Sequence, residues 1–182
     1  MSKNSIKLLP VTLLLTAVFV LAIDGFGQSD EKKEEIAADA KVAKAEFIKA
    51  DPKMANLFSK AYGYVIFPNV GKGAVGIGGA SGNGVAYEKD TQVGTAKMTQ
   101  VSIGFQWGGQ AYREVIFFET KESMDKFKEN KVELSAQVSA VAVKTGTSAT
   151  AKFVDGVMVF TMQKGGLMYE AAVAGQKFKF EK

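Results

Sequence analysis

The chain has 182 residues with a formal charge of +4; 47% are hydrophobic, 23% are charged, and there is neither a cysteine nor a histidine. That length suffices for one domain with its own core, while the inventory excludes disulfides, thiol chemistry, zinc–thiolate sites, Ser-His-Asp and Cys-His catalysis. The charge is spread out, without the basic stripe and interleaved aromatics of a nucleic-acid module, so no nucleic acid is expected and only a mild attraction to anionic surfaces follows.

Residues 1–27 have the pattern of a signal peptide. Lys3 and Lys7 form a charged start, Val11 to Ile23 an apolar run too short for a comfortable span, and Gly25 and Gly27 offer a small-residue cut before Gln28. An uncleaved N-terminal anchor is the alternative. The expectation is an exported protein, periplasmic or secreted, whose residues 28–182 form a single domain, helical over 30–62 and mainly β over 63–182.

Residues 30–50 predict a helix capped by Asp30. Ile36, Ala40, Ala43 and Phe47 recur at helical spacing, with Lys33, Lys41 and Lys44 on one flank of that stripe and Glu35, Asp39 and Glu46 on the other. Asp51 and Pro52 open a second helix with Leu57, Phe58 and Ala61 on its apolar side and Gly63 as its stop.

A strand follows from Tyr64 and breaks at Pro68. Seven glycines then fall between residues 71 and 84, a density that points to close backbone approach, bends or bulges. The expected form is two glycine-rich strands meeting at a turn over Ser81-Gly82-Asn83-Gly84, because Asn-Gly is a strong hairpin signal. On this basis Gly79→Val or Gly84→Val is expected to destabilise by roughly 1–3 kcal/mol. Gly71-Lys72-Gly73-Ala74-Val75-Gly76 also fits G-x-G-x-x-G, but that fingerprint needs a helix at the third glycine, and Ile77 to Gly82 will not make one, so no nucleotide is expected.

Further strands are expected at Val85–Tyr87, over alternating Val101, Ile103, Phe105 and Trp107, and at Val115–Phe118, which is apolar on both faces and so central. Lys89-Asp90-Thr91 and Gly108-Gly109 are turns. Thr120 caps a short helix with Met124 and Phe127 inward, while Lys121, Lys126, Lys128 and Lys131 make a solvated face. Residues 134–140 alternate, 145–151 form a loop, and strands follow over 157–162, 167–173 and 177–180, with turns at Gly165-Gly166 and Gly175-Gln176; Asp155-Gly156 is also a turn.

The fold class is therefore α+β: an N-terminal helix pair packed on a glycine-rich, mostly antiparallel β-sheet or partly closed barrel, with one further short helix. No spacing pairs any two of Glu88, Asp90, Glu114, Glu119, Asp155 and Glu170 for acid–base work, and no calcium loop occurs, so neither enzyme chemistry nor a metal or other cofactor is expected.

The run AYGYVIFPNVGKGAVGIGGASGNGVAYE, followed by VSIGFQWGGQAYREVIFFET, resembles the SYLF domain, whose pattern is G-Y-x-x-F-P, a glycine-rich segment, then G-x-Q-x-G-x-Q and an apolar strand. The resemblance runs from about Ala50 to Lys182. It implies a lipid-binding module, with phosphoinositides as ligands in eukaryotic relatives and an actin-regulating role in fungi; for an exported protein only anionic lipid is carried over. Lys33, Lys41 and Lys44 are the expected lipid contacts, with Lys72 in the glycine-rich segment as a second contact. A lipid chain in an internal cavity is the other mode, and a protein partner or self-association through strand edges is the other function.

Overall fold

Two helices, α1 (Asp30–Ala50) and α2 (Met54–Lys60), lead into the strands β1 (Gly63–Lys72), β2 (Gly79–Glu88), β3 (Thr91–Val101) and β4 (Tyr112–Phe118). Helix α3 (Lys121–Lys128) follows, then β5 (Ala140–Ala142), a 3-10 turn at Thr147–Ala149, β6 (Val157–Gln163) and β7 (Gln176–Glu181). The computed structural model describes residues 30–72, 79–101, 111–132, 134, 140–142, 146–164, 173 and 175–182. The expected strand over 167–173, the alternation at Ile103 to Trp107 and the turns at Gly108-Gly109 and Gly165-Gly166 fall largely or wholly outside these residues.

The strands form one open sheet in the order β5-β6-β4-β1-β2-β3-β7, antiparallel except for the β5–β6 pair. The fold is the expected α+β class, in its sheet form. The sheet is nonetheless strongly curled: Gln176 Nε2 on β7 donates to Glu114 Oε2 on β4 at 2.9 Å, although β1, β2 and β3 separate those strands in pairing order.

Each face of the sheet has its own core. On one face α1 lays down Ile36, Ala40, Ala43 and Phe47, all buried and spaced for a single helical stripe, over Tyr64, Ile66, Val85 and Val115. Polar bonds fix the acidic flank of α1: Glu46 meets Arg113 at 2.6 Å, and Asp39 accepts from Asn69 at 2.9 Å. On the other face α3 places Met124 and Phe127 against Phe118, Ile116 and Phe178. Thr120 caps its start, as expected, and Ser123 at the third helical position completes a capping box.

Two local expectations are corrected. Pro68 does not end β1: both of its pairings shift register around Phe67 to Asn69, and this bulge lets a proline sit in a central strand. Ser81 to Gly84 is no turn, since β2 runs unbroken through it; the β1–β2 connection falls on residues 73–78, outside the described residues. Asp51 opens α2 as expected, its Oδ1 accepting from Lys53 N at 3.2 Å, while Oδ2 accepts from Ser148 N at 2.9 Å and Ser148 Oγ at 2.6 Å and so also pins the 3-10 turn to the helix junction. Residues 91–100, polar and without clear alternation, are strand because β2 and β7 pair with them on either side. The antiparallel pairing of β1 with β2, with β2 starting at Gly79, leaves no place for the helix a dinucleotide fingerprint needs after Gly76.

Candidate functional site

Lys44 leaves the solvated flank of α1 and becomes a hub. Its Nζ lies 2.5 Å from Asp90 and 2.9 Å from the Tyr64 hydroxyl, and stands over the rings of Phe58 and Tyr64 at 5.0 and 5.1 Å. The Tyr64 hydroxyl donates to the same carboxylate. The hydrogen bonds from Lys44 and Tyr64 hold Asp90 below the usual carboxylate range, while burial, and then the bond to Asp90, pushes the Tyr64 phenol up. Asp90 reaches this position from a tight turn in which Lys89 and Asp90 both have positive φ, 46° and 68°. Such turns favour asparagine and glycine, so the backbone is held off its preferred region to present the carboxylate. Lys44 thus ties α1 to the β2–β3 turn and is not a free headgroup contact.

A cleft of about 600 Å³ beside the hub is lined by Phe58, Ser59, Lys60, Tyr62, Lys89 and Glu119, among others. It mixes both charge signs and selects no one ligand chemistry.

The unspent basic charge lies elsewhere on the α1-facing side of the sheet. Along β7, Phe178 and Phe180 turn toward the α3 side, so Lys177 and Lys179 point to the α1 side. Met98 and Ala96 do the same on β3 and send Lys97 out beside them. The register sets Lys97 directly opposite Lys179, with Lys177 opposite Thr99. Lys33 joins them from α1: its charge, with that of Lys97, acts on Glu181, whose bond to Lys179 holds it below the usual carboxylate range. Lys41 is exposed on α1. Among the described residues Lys33, Lys41, Lys97 and Lys177 form no ion pair, and Lys179 meets Glu181 at 2.9 Å. Like charges directly opposite on neighbouring strands are destabilising by some tenths of a kcal/mol.

The lysines around α3 differ. Lys126 pairs with Glu122 at 2.8 Å, Lys128 with Glu88 at 2.5 Å, Lys131 with Glu129 at 2.6 Å, and Lys121 with Asp125. That cluster is a self-neutralised solvated face, as expected. Of the sequence candidates, then, Lys33 lies at the unpaired basic face, Lys41 is exposed on the same helix, Lys44 is spent in the hub, and Lys72 closes β1 with its side chain outside the described residues. Sequence reasoning missed Lys97, Lys177 and Lys179. Their signal was the alternation Lys177-Phe178-Lys179-Phe180, which marks a basic face on a strand, but only the β3–β7 register adds Lys97 to it.

Residues 99–182 match the family described as Las17-binding protein actin regulator, Ysc84. The chain is also 31% identical over 153 residues to "Beta cell expansion factor A" of Aeromonas veronii, an alignment covering 84% of this chain and 58% of that protein. It therefore spans little more than half the length of this relative. The family is generally non-catalytic. The family match takes in the end of β3, β4, α3 and β5 to β7, and hence two of the three sheet lysines of the basic face. These matches show a domain of the SYLF (Ysc84) family over residues 99–182, in a chain whose helices pack on a mostly antiparallel open sheet.

Proposed function

We propose that this is a non-enzymatic lipid-binding domain that docks on anionic phospholipid through the face formed by Lys97, Lys177, Lys179 and Lys33, with Lys41 at its border. The observation that carries this reading is the opposition of Lys97 and Lys179, with neither Lys97 nor Lys177 ion-paired among the described residues. An anionic surface relieves that repulsion, and each lysine near it contributes at most about 1 kcal/mol. Lys44 takes part indirectly, by fixing the helix that carries Lys33 and Lys41. Lys72, at the far end of β1, remains a candidate second contact.

The family match supports lipid as the target class. No described helix is long and apolar enough to cross a membrane, which fits docking from the surface. An edge-to-edge protein partner has less support. Leu134 already exchanges backbone hydrogen bonds with Gln176 and Gly175 at the start of β7, and Asn130 Oδ1 accepts from Phe180 N at 2.6 Å.

The test is cosedimentation with phosphatidylglycerol-containing and purely neutral vesicles. Changing Lys97, Lys177 and Lys179 together to Gln should weaken binding to the anionic vesicles by about 2–3 kcal/mol, on the order of a hundredfold, as should high salt on the wild type. Changing Lys121, Lys126 and Lys131 to Gln should have far less effect. Undiminished binding by the sheet variant would end the proposal.

We also propose export, on the strength of the charged start and apolar run of residues 1–27. Mass spectrometry of the protein from its native cells should find an N-terminus between Ile23 and Ser29; intact Met1 in the cytosol would contradict this.

A further inference from the structure

Glu114 is fully buried on β4, on the side of the sheet that α3 covers. Its face neighbours are Phe67 on β1, Thr161 on β6, Tyr112 two residues away on its own strand, and Gln176 on β7. The Gln176 amide donates to Oε2 at 2.9 Å. Among the described residues, buried Glu114 Oε1, Gln176 Oε1 and Thr161 Oγ1 find no hydrogen-bond partner. Among the described residues the one titratable neighbour is the Tyr112 phenol, and no lysine or arginine acts on the carboxyl.

A buried carboxylate is tolerated when two or three donors or a cation receive it. Here the ionised form would have a single amide. The neutral acid fits the site; the anion calls for water, and water enters most easily where the sheet ends. That end is β7, whose one strand partner is β3 and whose outer side is met at its two ends by Leu134 and Asn130; it curls back so that Gln176 reaches Glu114 and Phe178 lies 5.9 Å from Phe67, ring centre to ring centre.

We propose that Glu114 is a proton latch on the curl of the sheet: protonated, it keeps β7 folded against β4, and loss of its proton to solvent releases β7 and wets the interior side of that strand. Burial holds the carboxyl at about 7 rather than near 4.5, with the Gln176 bond as a smaller opposing effect, so the latch works between mildly acidic and neutral pH. Because β7 also carries Lys177 and Lys179, release would rearrange the proposed docking face, but the latch stands whether or not that face meets lipid.

Hydrogen exchange tests it. After correction for intrinsic exchange rates, β7 amides of the wild type should be less protected than β1 amides at pH 7. Their protection should fall by about a hundredfold between pH 4.5 and pH 8, the span set by the open-state and closed-state values. Glu114→Gln should abolish that fall. β7 protection equal to that of β1 at every pH, or an unchanged fall in Glu114→Gln, would overturn the latch. Infrared difference spectra of wild type and Glu114→Gln give an independent readout: a protonated-carboxyl band assigned to Glu114 should be present at pH 5.5 and gone by pH 8.5. Absence of the band at pH 5.5, in the folded wild type, would refute the proposal even if the variant failed to fold.

Discussion

At pH 8 the Glu114→Gln protein is expected to be about 3 kcal/mol more stable than the wild type, with a melting temperature higher by about 10 °C, whereas at pH 4 the two should be nearly alike. Burial raises the Glu114 carboxyl from 4.5 to about 7 in the fold. Below pH 4.5 both folded and unfolded chains are protonated at this site and it makes no difference. Between 4.5 and 7 the unfolded chain gives up its proton while the folded one keeps it, so stability falls with rising pH by about 1.4 kcal/mol per unit. Above 7 both forms are ionised and the loss is complete. Glutamine is nearly isosteric and stays neutral, so it avoids the loss altogether. Thermal melts of both proteins from pH 4 to pH 9 would check this; parallel curves would show that Glu114 titrates normally in the fold.

Gly84→Val should cost about 3 kcal/mol or more, above the range that glycine density alone suggests. A Cβ at this position would lie 2.6 Å from the Ile66 carbonyl oxygen and 2.6 Å from the Phe67 ring. The backbone cannot step aside, because β1 is held between β2 and β4 and bulges here around Pro68. Gly84 has no positive φ, so the requirement is for space and not for an unusual backbone conformation. Gly71→Ala is the control: none of the described residues lies within 4 Å of its Cβ position, and its effect should stay within about 0.5 kcal/mol. Urea midpoints of the two variants at unchanged m-value would measure the difference. A Gly84→Val protein within 1 kcal/mol of wild type would contradict the packing account.

Elements whose cause is local were legible in the sequence. The α1 stripe, the Thr120 cap, the doubly buried β4 and the Asp155-Gly156 turn each depend on residues a few positions apart, and each is found where its signal lies. The misreadings came from signals with two physical meanings. Asn83-Gly84 has the chemistry of a turn, but here the glycine makes room for the neighbouring bulge. Pro68 ordinarily ends a strand, and the bulge removes the need for its missing N–H. Asp51 keeps one oxygen on Lys53 N at the head of the helix, but its second oxygen is taken by Ser148, 97 residues away, which no local signal shows.

The site was half legible for the same reason. The helical wheel correctly put Lys33, Lys41 and Lys44 on one flank, but a wheel cannot show that the strained Lys89-Asp90 turn reaches across to take Lys44. Nor can a strand pattern show that Lys97 faces Lys179, since that depends on two strands some 80 residues apart being neighbours. Glu114 stood among the candidate carboxylates, yet its buried partner Gln176 is brought to it by the curl that carries β7 over β4.

The most direct test of the docking account is paramagnetic relaxation by spin-labelled lipid in bicelles containing phosphatidylglycerol, read on backbone amides. The account predicts broadening centred on Lys97, Thr99, Lys177 and Lys179, extending to Lys33 and Lys41, and leaving α3 sharp although it carries several lysines of its own. Broadening centred on α3, or none at any salt concentration, would contradict it.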